Sequence, residues 1–184
     1  LLGLLGSLFA GLMTGAGALP ALFGRIPSER LRDTALGFAA GVMLSASYFS
    51  LIIPALDVSE RLYGGGVIPA LIAVVGILLG MLAIGVLNER MPHEHFLSGR
   101  EGPPSDALRR IWLFVIAITI HNFPEGLAVG VGFGSGDFGN GLSLAIGIGL
   151  QNVPEGLAVA VALMGEGYSR ARATWIATLT GLAE

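Results

Sequence analysis

Two nine-residue stretches hold most of the chemistry available to this chain. His121–Val129 reads HNFPEGLAV and Gln151–Val159 reads QNVPEGLAV, identical at seven positions. On a helix turning about 100° per residue, Glu125 falls about 40° to one side of His121 and about 60° to the other side of Asn122. Glu155 stands likewise between Gln151 and Asn152. Imidazole nitrogen, carboxylate oxygen and amide oxygen on one face form a mixed set. It suits zinc and its first-row neighbours better than calcium or magnesium. Each glutamate, flanked on two sides, could bridge two ions, one toward His121 and Gln151 and one toward Asn122 and Asn152. Pro124 and Pro154 lack an N–H and crowd the preceding turn, so the carbonyls of Ile120 and Leu150 lose their helical partners and both helices are expected to kink.

Other residues join these with two readings each. Met43, in GVMLSASYFS, is core filler or a soft sulfur ligand at the depth of the motifs. Glu184, in TGLAE, is a third carboxylate at that depth, either a ligand of a second ion or an exposed end. His93, Glu94 and His95 form a transient ion acceptor or part of a solvated loop. Asp57 and Asp137 concentrate cations at an outer entrance or are ordinary helix-end charges. GSGDFG (134–139) matches a dinucleotide-binding glycine pattern, but no strand precedes it, so that reading is rejected. With no cysteine, thiolate metal sites, disulfides and cysteine nucleophiles are excluded.

The elements that must position these groups are hydrophobic. The chain has 184 residues, 53% hydrophobic and 12% charged, against about 25% charged in a typical soluble domain. Apolar stretches long enough for about 30 Å of hydrocarbon recur at 1–23, 34–56, 67–87, 111–133 and 142–163, and a sixth begins at 173 and is cut off at 184. No period-2 alternation appears, which argues against a barrel. The expectation is an all-α polytopic membrane protein, a single transmembrane helical domain over 1–184. Its metal site lies between spans four and five, and a cytoplasmic loop covers 88–110. Nine of the ten arginines fall in the first, third and fifth connections, which places those inside and the N-terminus outside. Trp112, Tyr168 and Trp175 then sit near the inner interface and Tyr63 near the outer one. Pairs such as Gly11/Gly15, Gly37/Gly41, Gly76/Gly80 and Gly126/Gly130 have the spacing of close helix contacts. A net charge of -3 without basic clusters speaks against nucleic acid.

A carboxylate at a membrane-helix centre costs about 2.5–3.5 kcal/mol on insertion scales. Glu125 and Glu155 have no intramembrane lysine or arginine to offset this, and a divalent cation would do so. The paired motifs, with GLAE opening the sixth span and the histidine-containing third loop, resemble the ZIP (Zrt-, Irt-like) divalent metal transporters, most closely the bacterial branch. That resemblance implies eight membrane helices, two of them after Glu184, and movement of zinc and related ions (cadmium, iron, manganese) toward the cytoplasm. It implies a first metal on His121, Glu125, Gln151 and Glu155, with Met43, and a second on Asn122, Glu125, Asn152, Glu155 and Glu184. The family often has histidine at the position of Gln151, and an acid can stand at that of Asn152, so the two amides here should retune binding. The expected setting is a bacterial inner membrane. The expected partners are divalent ions, the lipid bilayer and a second copy in a homodimer. An enzyme is not expected; an intramembrane metalloenzyme and a structural or sensor metal protein stand as the alternatives.

Overall fold

The computed structural model describes residues 1–90, 93–95, 99–101 and 110–184. It is a polytopic helical membrane protein: α1 (Leu2–Leu22), α2 (Glu29–Ser45), a π-helical segment (Ala46–Ile52), α3 (Ile53–Tyr63), α4 (Val67–Arg90), α5 (Arg110–Gly134), α6 (Phe138–Gly165) and α7 (Arg170–Gly181). Among the described residues, five helical stretches are long and apolar enough to cross a bilayer, the run from Glu29 to Tyr63 counting as one, and α7, at 12 residues, is not among them. Between α4 and α5, two three-residue strands, β1 (His93–His95) and β2 (Gly99–Glu101), pair antiparallel, with His93 opposite Glu101. Part of the expected 88–110 loop is therefore regular backbone. The side chains of His93, Glu94 and His95 lie outside what the structure describes.

Helix starts follow capping chemistry. Ser28, Asp137 and Ser169 precede α2, α6 and α7, and each side chain accepts from a backbone N–H in the first turn, satisfying donors the helix leaves free. Gly64 ends α3 at φ 80°, a conformation glycine adopts without penalty. The second span departs from expectation. Instead of one helix over 34–56, helical backbone runs from Glu29 to Tyr63, 35 residues, about 50 Å at 1.5 Å per residue. Its middle widens into the π-helical turn, which no hydropathy window registers. Asp57, expected at the end of that span, lies on the exposed surface of α3.

The packing is inside-out relative to a water-soluble domain. Thr14, Asn122 and Asn152 are fully buried, whereas large apolar side chains such as Leu79 and Met81 on α4 face outward. Helix α1 packs against α5, α6 and α7, while α2 lies on α6 and α4 packs on α3. Two apolar clusters form the core. One gathers Ala18, Val115, Val159 and Ala177, and the other Ala10, Val129, Leu144 and Ile148. On α5 the polar motif falls between them in the chain, and so it does on α6. Trp112 Nε1 donates to the hydroxyl of Tyr168 at 2.8 Å, tying the start of α5 to the turn before α7.

Candidate metal site

The two motifs meet. His121 Nε2 lies 3.3 Å from Glu125 Oε1 on its own helix and 4.0 Å from Glu155 Oε2 on α6. Gln151 Nε2 donates to Glu125 Oε1. Glu155 also neighbours Asn122, Glu125 and Glu184. Asn152 Nδ2 donates to Glu184 Oε1 and to the Ala10 carbonyl, the latter at 2.9 Å. Asn122 Nδ2 donates to the Thr180 carbonyl at 3.0 Å. The geometry thus falls into two overlapping groups. His121, Glu125, Gln151 and Glu155 form one, and Asn122, Asn152, Glu155 and Glu184 form the other.

The oxygens are the telling feature. Each carboxamide spends its nitrogen on a carbonyl or carboxylate, which leaves its oxygen without a partner. Asn122 Oδ1, Glu125 Oε2, Gln151 Oε1, Asn152 Oδ1, Glu155 Oε1 and Glu184 Oε2 are all buried and have no partner among the described residues. A buried polar atom left unpaired costs about 1–3 kcal/mol, and folded domains are stable by only about 5–15 kcal/mol in total. Among the described residues no arginine pairs with these carboxylates. An acceptor-only cluster of this kind is suited to a cation. Among the described residues, no three of His, Asp and Glu by themselves form a ready metal cage.

A cavity of about 420 Å³ adjoins the first group. Met43, Ser47, His121, Glu125 and Gln151 line it, so the methionine shares a space with the motif residues. Asp137 instead caps α6, its Oδ1 accepting from Asn140 N at 3.0 Å. Both α5 and α6 run on as α-helix through Pro124 and Pro154.

The glycine closing each motif is a point of close helix approach, as the spacing of Gly126 and Gly130 suggests for the first of them. A Cβ on Gly126 would collide with the backbone of Glu184, and one on Gly156 with the carbonyl of Thr14. Absent side chains let the end of α7 and the middle of α1 close on the site. Gly11 and Gly181 interlock in the same way, each against the other's carbonyl. Gly37, Gly41, Gly76 and Gly80 touch nothing at their open Cβ positions, so those two pairs are not contact points among the described residues. Sequence reasoning found α1 as a span but missed its place beside the site. Ser7 Oγ donates to the Gly126 carbonyl at 3.0 Å, Ala10 offers its carbonyl to Asn152, and Thr14 Oγ1 is buried without a partner. A polar stripe at 7 and 14 within an apolar span was the available signal.

Comparison with known proteins identifies the family. A family model described as ZIP Zinc transporter matches residues 88–184. Zinc transporter GufA of Myxococcus xanthus is 46% identical over 182 residues, covering 99% of this chain and 72% of that protein. Zinc transporter ZIPB of Bordetella bronchiseptica is 46% identical over 171 residues, covering 93% of this chain and 55% of that protein. Zinc transporter ZIP11 of Homo sapiens is 35% identical, covering 98% of this chain and 77% of that protein.

Proposed function

The chain belongs to the ZIP zinc transporter family, and from that premise we propose that it carries zinc and related divalent ions across a membrane toward the cytoplasm. The observation that carries this reading is the set of six buried oxygens, without hydrogen-bond partners among the described residues, on the two motifs and on Glu184 beside them. In this reading, His121, Glu125, Gln151 and Glu155, with Met43 from the cavity wall, bind a first ion. Asn122, Glu125, Asn152, Glu155 and Glu184 bind a second. Cadmium, iron and manganese fit the same donors with altered preference, because amides stand at 151 and 152. Metal competes with protons for imidazole and carboxylates, so uptake weakens on acidification.

The arginine asymmetry supports an N-terminus outside, in a bacterial inner membrane. The outward apolar side chains of α4 offer a surface to lipid or to a second copy in a homodimer. Asp57 gathers cations at the outer mouth, whereas Asp137 is engaged as a helix cap. His93, Glu94 and His95 receive ions on the cytoplasmic side. A hydrolytic role would need a base that is not itself a ligand, and the three carboxylates of the site are all taken up in the binding sets.

The test is zinc flux into proteoliposomes. Glu125→Ala and Glu155→Ala should each abolish saturable uptake, and near-normal flux in either variant would overturn the assignment.

A further inference from the structure

One wall of the cavity comes from outside the repeated motifs. Ala46, Ser47 and Leu51, from the π-helical segment, line it together with His121, Glu125 and Gln151. In that segment the Ile53 N–H reaches back five residues to the Tyr48 carbonyl. The next residue, Pro54, brings no N–H at all. The Ser50 carbonyl, four residues before Pro54, receives a 2.9 Å hydrogen bond from Asn140 Nδ2 on α6. Asn140 is itself held, because its backbone N–H donates to the capping carboxylate of Asp137. A wide turn holds one residue more than an α-turn, so reverting it would turn the helix before the segment relative to the helix after it by about 100°, and Ser47 with it.

We propose that Asn140 is a positioning residue: its carboxamide, anchored by the Asp137 cap, holds the proline-interrupted wide turn of the second span and so sets Ser47 and Met43 against His121, Glu125 and Gln151. Its effect on transport rests on the function proposed above; its effect on the cavity wall does not.

The chain has no cysteine, so Ser47→Cys gives a unique reporter of the wall. In that background, Asn140→Leu and Asn140→Asp should change the rate of modification by a water-soluble thiol reagent about threefold to tenfold, the shift an ordinary hydrogen bond sustains. Asn140→Gln, which keeps the donor, should return the rate toward the parent's. With Ser47 intact, the donor-less variants should raise the KM for zinc more than they lower kcat. Thermal melting in detergent identifies a variant that has not folded, and Asn140→Asp carries the test if Asn140→Leu fails there. Unchanged labelling in a folded donor-less variant overturns the proposal, whatever the flux. Shifted labelling in a protein whose parent moves no zinc would instead uphold the positioning role and sink the transport reading.

Discussion

A carboxamide donates through nitrogen and accepts through oxygen, and Asn152 divides these duties between two tasks. Its nitrogen grips the Ala10 carbonyl and Glu184, while its oxygen has no partner among the described residues. An aspartate here would keep the acceptor, lose the donor and add a further carboxylate beside Glu184, which already neighbours Glu155. Metal-free Asn152→Asp protein should therefore be destabilised by about 1–3 kcal/mol, and zinc should raise its melting temperature more than the parent's. Melting curves in detergent, with zinc and with a chelator, measure both effects. A metal-free melting temperature equal to the parent's would contradict this division of duties. The candidate ligands were legible from sequence because a polar cluster stands out against hydrocarbon-compatible neighbours. Which amide atom points where was not, since it depends on carbonyls of α1 and α7 remote in the chain.

At the scale of elements, the spans were visible as apolar runs, but their internal geometry was not. Hydropathy averages over a window and cannot distinguish a bond to the fourth residue back from one to the fifth. The wide turn at Ala46–Ile52 was therefore invisible, although Pro54 was in plain view. Glycine spacing was similarly ambiguous: the pairs at 11/15 and 76/80 look alike in sequence, yet the first lies against α7 and the second against nothing. This gives a paired prediction. Gly156→Ala should lower the melting temperature through overpacking worth about 1–3 kcal/mol. Gly80→Ala should leave it unchanged or raise it slightly, because alanine is the better helix former. Equal effects would refute the close approach of α1 to α6.

The whole molecule turns polar groups inward and apolar groups outward, as a chain solvated by lipid must. The arginine asymmetry is the basis of the proposed orientation, and a cysteine-free chain makes that testable. Ser135→Cys, between α5 and α6, should react with a membrane-impermeant maleimide added outside intact cells. Glu166→Cys, between α6 and α7, should react only after permeabilisation, and the reverse pattern would invert the topology.

Helix α1 bears on how separable the parts are. The family model begins at residue 88, and seven of the candidate ligands lie beyond that point. Yet the Ser7 hydroxyl and the carbonyls of Ala10 and Thr14 press against the motif helices through hydrogen bonds and glycine contacts. The ligand-bearing half is therefore not a self-contained module. Its back wall is the main chain of a helix at the other end of the sequence, which contributes shape and backbone acceptors rather than a recognisable signature.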